Sequence, residues 1–231
     1  MHNFYKPDLM KSSILDGDEF HHCVNVLRHQ VGDNINITDG LGNLASVKIW
    51  SISKKMLGFK VLKTKTEKPK SFETHLYIAP TKNIDRMEWM IEKLSEVQLD
   101  SVTFMTTVNS ERKKINIDRL ERKCISALKQ SKSPYKTTIN PLLTDYHYCI
   151  SNYQGMGFIC HPQENSIRLQ HLAIKDNPIS IFIGPEGGFT INEVTMAKEV
   201  GIEPVILGAT VMRTETASLL SCHTINMVNG F

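Results

Sequence analysis

The chain has 231 residues, room for one large domain or two small ones, and its 41% hydrophobic and 22% charged residues suit an ordinary globular protein with ample core. No apolar run could span a bilayer, no apolar h-region follows Met-His-Asn-Phe-Tyr-Lys-Pro, and five scattered cysteines with no Cys-x-x-Cys argue against a disulfide framework or zinc site, so reduced thiols and a cytoplasmic location are expected. The net charge of +3 is unevenly spread: residues 54–70 carry seven lysines against Glu67 alone, and residues 112–136 carry nine Lys/Arg against Asp118 and Glu121, blocks that either neutralise phosphates or form solvated faces.

In chain order, Glu19 to Leu27 reads as a short amphipathic stretch. The His21-His22 pair within it has no carboxylate or cysteine at ligand spacing, so no metal is expected. Val31 to Gly40 reads as a turn followed by a strand with Ile35 and Ile37 alternating, Ala45 to Trp50 alternates again, and Leu57 to Leu62 gives a further strand. Asp39-Gly40 and Gly42-Asn43 are turn signals. Short strands with tight turns point to a small β-barrel over residues 1–70. Thr64 to Phe72, with Pro69 and several lysines, reads as a linker.

The composition then shifts. Strands are predicted at His75–Pro80, Ser101–Thr106, Met156–His161, Ile179–Ile183 and Val205–Leu207. Helices are predicted at 84–99, with Met87, Met90, Ile91, Leu94 and Val97 on one face, and at 117–131, 191–200 and 216–228. Alternating strands and helices give an α/β domain with a parallel sheet over residues 71–231.

Two stretches near the C-terminus carry the chemistry. Ile181-Phe-Ile-Gly-Pro-Glu-Gly-Gly-Phe-Thr190 is a buried strand breaking into a glycine-rich loop, and Thr190 with Glu193 has capping-box spacing for the helix that follows. Leu207-Gly-Ala-Thr-Val-Met-Arg-Thr-Glu-Thr-Ala217 is the second. Loops beyond the carboxyl ends of parallel strands are where open α/β sheets bind ligands. The competing reading is a turn that needs glycine for sterics alone. Gly-Pro-Glu-Gly-Gly-Phe is neither a P-loop, nor a dinucleotide fingerprint, nor a nucleophile elbow.

At Phe182-Ile-Gly-Pro-Glu-Gly-Gly-Phe189 and Leu207-Gly…Arg213-Thr-Glu-Thr-Ala217 the chain resembles the RsmE family, the ribosomal RNA uridine-N3 methyltransferases of the SPOUT superfamily. The resemblance extends to Lys82…Arg86, Ile91-Glu-Lys-Leu-Ser-Glu96, Asn109-Ser-Glu-Arg112 and Ala127…Gln130-Ser131. In the N-terminal part it extends to His21…Val26-Leu-Arg28, Gly32-Asp33 and Asp39-Gly-Leu-Gly42. Two positions depart from the pattern: Gln98 where a glycine is usual, and Ser133 where an arginine is common, a role that Lys132 or Lys136 could take over.

The resemblance implies a PUA-like RNA-binding β-barrel over 1–70 and a SPOUT domain with a deep trefoil knot over 71–231. It also implies a homodimer that acts on N3 of a uridine in small-subunit (16S) ribosomal RNA. The implied cofactor is S-adenosyl-L-methionine, held by His161, Pro162, Phe182, Gly184, Glu186, Gly187, Leu207, Gly208, Met212 and Arg213, with the loop after His161-Pro162 completing the pocket. For Phe182 and Leu207 the alternative is plain core packing. Attack by N3 needs positioning and stabilisation of an anionic base, for which Arg112 and Arg213 are candidates. Glu96 is a candidate general base or else a helix-surface carboxylate paired with Lys93. Arg28, Arg112, Lys113 and Lys132 are candidate RNA contacts, with a surface ion pair as the alternative for Arg28. Two other functions fit the same residues: an RNA-binding ribosome-assembly factor with a vestigial cofactor pocket, or a methyltransferase for another RNA.

Overall fold

The computed structural model describes residues 2–162 and 166–231. The chain divides into two compact units, Met1–Pro69 with Ile125–Lys136, and Lys70–Cys124 with Thr137–Phe231.

In the first unit the chain runs through β1 (Asn3–Tyr5), β2 (Ile14–Asp16), α1 (Gly17–Phe20), a π-helical turn (His21–Val26), β3 (Asn34–Thr38), β4 (Asn43–Ile52) and β5 (Met56–Thr66). The strands form one sheet in the order β1-β3-β4-β5-β2, curled into a half-barrel. The period-2 pattern explains the curl's inner face: Phe4, Ile35, Ile37, Val47, Ile49, Leu57 and Phe59 are buried together, while their neighbours along each strand are exposed or half-buried, save the buried Thr38 and Gly58. Thr64 to Thr66 belong to β5, paired with Asn43–Ala45, so the connection begins later than the predicted linker. Residues 125–136 join this unit because Lys129 Nζ reaches Glu19 Oε1 at 2.5 Å and Gly42 N donates to Pro134 O.

The second unit contains β6 (Thr74–Ile78), α2 (Ile84–Glu96), β7 (Ser101–Thr106), the start of α3 (Ile117–Ser131), β8 (Thr138–Ile139), β9 (Thr144–Asp145), α4 (Tyr146–Ser151), β10 (Met156–Cys160), β11 (Ile167–Arg168), α5 (Leu169–Leu172), β12 (Ile179–Ile183), α6 (Ile191–Glu199), β13 (Glu203–Ile206) and α7 (Thr214–Asn229). Its sheet is parallel, in the order β11-β13-β10-β12-β6-β7-β8. Every residue of β6 and β12 is buried, as expected for central strands covered on both faces. The strands' carboxyl ends therefore share one edge, where the two glycine-bearing stretches emerge. The brief β8, β9, β11, α4 and α5 were not predicted, because two to six residues are too few to display a period.

The helix predicted over 84–99 stops at Glu96, since Gln98 adopts φ 55°. That left-handed backbone is the reason a glycine is usual there: an L side chain meets its own carbonyl. Gln98→Gly is therefore expected to stabilise the protein by about 0.5–1 kcal/mol. Urea denaturation checks this, and an unchanged or lower midpoint would mean that the glutamine side chain more than offsets the strain.

Candidate cofactor site at the carboxyl edge of the parallel sheet

A cavity of about 630 Å³ opens where β10, β12 and β13 end. Its walls come from both predicted loops. His161, Pro162, Gly184, Glu186, Leu207, Gly208, Met212 and Arg213 all line it, so eight of the ten residues implied as cofactor contacts converge on one space. The two loops are tied together: the buried Thr214 hydroxyl donates to the Gly184 carbonyl at 3.0 Å. The glycine-rich loop is fixed at its far end by the capping box, where Glu193 Oε2 accepts from Thr190 N at 2.8 Å and Thr190 Oγ1 accepts from Glu193 N at 3.2 Å.

Two of the ten lie elsewhere. Phe182 is fully buried and stacks on Tyr77 with ring centroids 4.6 Å apart, so it is a core residue of a strand covered on both faces. Gly187 turns its missing side chain toward Asn109, whose Cβ is 3.1 Å from where a Cβ would stand; its carbonyl accepts from Asn109 Nδ2 at 3.2 Å. Of the loop after Pro162, residues 163–165 fall outside the described residues.

Charge in the cavity is mixed. Arg213 is exposed at the N-cap position of α7, and Arg86 of α2 faces the buried carboxylate of Glu215 at 3.8 Å. The Glu186 carboxylate lies on the wall and accepts from Lys82 N at 3.1 Å. Burial lowers the His161 pKa, which favours the neutral imidazole, and pushes the Cys160 thiol up to about 12, so it is a wall group and not a thiolate nucleophile. Arg86 and Thr214 join the site without having been assigned a role in the sequence. Both lie in matched stretches, Arg86 at the end of the Lys82…Arg86 match and Thr214 inside the second motif; Arg86 arrives from a distant helix.

The candidate catalytic groups separate. Glu96 pairs with Lys93 at 2.8 Å on the surface of α2 and does not line the cavity, the arrangement of the helix-surface alternative. Arg112 also lies outside the lining. Its guanidinium clamps the chain between β6 and α2, with Nε donating to Thr81 O at 2.9 Å and a second nitrogen donating to Lys82 O. Since Lys82 N also binds Glu186, Arg112 positions a cavity wall from behind. Arg112→Ala should lower stability by about 1–2 kcal/mol by leaving the buried Thr81 carbonyl unpaired, and Arg112→Lys should restore little because an ammonium cannot span both carbonyls. Denaturation midpoints check this; loss of turnover at unchanged stability would instead make Arg112 a catalytic group.

Arg28 and Lys132 are exposed and share a left-handed backbone, φ 57° each. Lys113 lines a second cavity of about 660 Å³ with Thr107, Asp145 and His147. Ser133 is buried, and its hydroxyl donates to Tyr135 O at 2.9 Å, so it shapes a turn and does not replace the usual arginine at a surface. Among the described residues, no three His, Cys, Asp or Glu side chains are grouped to hold a metal ion.

Known proteins resemble the chain along its length. The model of the RNA methyltransferase domain matches residues 67–226, and that of the RNA methyltransferase PUA domain matches residues 15–62. A probable rRNA-methyltransferase from Porphyromonas gingivalis is 35% identical, with a TM-score of 0.92 over 100% of this chain and 99% of that one. The ribosomal RNA small subunit methyltransferase E of Buchnera aphidicola is 28% identical across 96% of this chain and 90% of its own length. The Neisseria gonorrhoeae ribosomal RNA small subunit methyltransferase E, solved bound to S-adenosyl methionine, shares the fold: TM-score 0.85 at 23% identity, over 99% of this chain and 98% of that one. Matched over both domain models and by relatives that span nearly all of it, the chain belongs to the RNA methyltransferase family, in the RsmE branch of ribosomal RNA small subunit methyltransferases.

Proposed function

We propose that the protein is an S-adenosylmethionine-dependent methyltransferase of small-subunit ribosomal RNA, and that the cavity at the ends of β10, β12 and β13 holds the cofactor. The observation that carries this is the convergence of the two glycine-bearing loops on one space large enough for a nucleoside ligand. Its chemistry fits a cation with a flat heterocycle. Glu186 and Glu215 supply negative charge, Leu207 and Met212 supply apolar surface, and main chain around Gly184 and Gly208 supplies polar contacts without side chains in the way. When bound, S-adenosylmethionine supplies a methyl group on a sulfonium.

The residues then have separate tasks. Glu186 and Glu215 attract the positive ligand, and Arg86 stands 3.8 Å from the Glu215 carboxylate. Arg213, exposed at the mouth, favours the anionic form of an incoming base whose ring nitrogen must lose a proton before or during attack. Arg112 and Asn109 hold the loops that form the walls. The accepting atom is N3 of a uridine, presented unstacked from its neighbours, and Arg28, Lys113 and Lys132 contact the RNA backbone. A homodimer, a trefoil-knotted path through the two loops and a cytoplasmic location belong to the same reading.

Calorimetric titration with S-adenosylmethionine tests the pocket, and mass spectrometry of ribosomal RNA from a deletion strain tests the target. Binding together with loss of N3-methyluridine is expected. Failure to bind would favour an assembly factor with a vestigial pocket; N3-methyluridine retained in the deletion strain would point to another RNA. Concentration-dependent sedimentation checks the dimer.

A further inference from the structure

The outer face of the N-terminal sheet carries an arrangement that the cofactor cavity does not use. Ala45, Val47 and Ile49 of β4 and Leu57 and Phe59 of β5 point into the core, which leaves Lys48 and Lys60 on the opposite face as a direct cross-strand pair. Like charges directly opposite one another are destabilising. Among the described residues, neither lysine has an acidic partner at ion-pair distance, whereas Lys65 on the same strand pairs with Glu67. A second register shift brings Lys63 opposite Ser46 on this face, and the hairpin turn adds the exposed Lys54 and Lys55.

Beside the lysine pair, the shift between Ile49 and Ser51 leaves Trp50 as the extra residue of a bulge, a device that re-aims a side chain. Trp50 is 64% exposed, yet its indole has a fixed seat. It lies over Gly58, where a Cβ would come within 2.8 Å of its Cε2 and Nε1 atoms and within 2.6 Å of the Ser51 hydroxyl. Gly58 has no positive φ, so its missing side chain makes room for the ring and the Ser51 hydroxyl and is not needed by the backbone. Ile14, opposite Gly58 on β2, is also exposed.

A seated, exposed aromatic face among unopposed lysines matches what single-stranded nucleic acid requires: a flat surface for one base, with cations for the phosphates on either side. We infer that this face binds single-stranded RNA, one base stacking on Trp50 while Lys48, Lys60 and Lys63 contact neighbouring phosphates. The choice of RNA as partner rests on the methyltransferase reading; the location of the surface does not.

The test uses the full chain and a mixed-sequence single-stranded RNA of about twelve nucleotides. Trp50 and Trp89 are the two tryptophans, so a Trp89→Phe chain reports on Trp50 alone. RNA is expected to quench that fluorescence. Trp50→Ala should weaken binding roughly tenfold or more, and Trp50→Phe should retain most of it. Gly58→Ala should behave like Trp50→Ala although the indole is still present, because the added methyl unseats the ring. Lys60→Ala should make the salt dependence shallower by about one unit of slope. Absence of quenching, or unchanged affinity in both Trp50→Ala and Gly58→Ala, overturns the proposal. So does a change of sedimentation mass in place of RNA affinity, which would make this a protein-docking face. S-adenosylmethionine binding measured on the same samples separates the two levels: cofactor bound with no effect at Trp50 removes this surface and leaves the enzyme reading intact, whereas no cofactor bound with Trp50 quenched removes the enzyme reading alone.

Discussion

Gly208→Trp is expected to lower S-adenosylmethionine affinity about 100-fold, or about 2.7 kcal/mol, in a protein that still folds. Gly208 lines the cavity, and its backbone φ is not positive, so a side chain imposes no conformational strain. A Cβ there would come within 2.9 Å of one atom only, the terminal methyl of Met212, which is the flexible end of an unbranched side chain. The indole would then occupy space the ligand needs. Gly187→Trp makes the contrast. Its side chain would start toward Asn109, outside the cavity lining, so its effect should be the smaller of the two. Calorimetry on both variants, with circular dichroism as the folding control, decides the matter. Equal losses in the two, or none at Gly208, would mean that the ligand does not occupy this cavity.

Thr214→Val should cost about 1–3 kcal/mol of stability and weaken cofactor binding, although it replaces one methyl-sized group by another. The reason is the buried hydrogen bond from Thr214 Oγ1 to Gly184 O. Valine keeps the shape and removes the donor, leaving a buried carbonyl unpaired at the junction of the two loops. Thr214→Ser retains the hydroxyl and should recover most of the binding. Thermal denaturation and calorimetry on the pair separate donor loss from packing loss: a serine variant as impaired as the valine one would show that the methyl group, and not the hydrogen bond, joins the loops.

The elements that were legible in the sequence are those long enough to show a period. α2 places Met87, Met90, Ile91 and Leu94 in the core at helical spacing, and α3 matches the predicted 117–131. β6 and β12 read as unbroken apolar or β-forming runs because both their faces are covered. The same property misleads at Phe182. A central strand buries every residue, so adjacency to a ligand loop gives no access to the ligand. Glu96 was ambiguous for a different reason: helical spacing puts it within reach of Lys93 whatever lies beyond, and nothing local says which side of α2 faces the cavity.

The sequence by itself determined the two chemistries of the chain, alternating strands before residue 70 and strand–helix alternation after it. It also determined the two loops at which backbone could meet a ligand, because turn residues and hydrophobic periods are local properties. Only the tertiary structure decided which side chains share the cavity. Arg86 reaches Glu215 from a distant helix, Thr214 closes on Gly184 across thirty residues, and Arg112 braces Thr81 from behind the wall. Those contacts depend on the order in which parallel strands lie side by side, with β12 between β10 and β6. That order is set by how the whole sheet buries its faces, and no short stretch of sequence carries it.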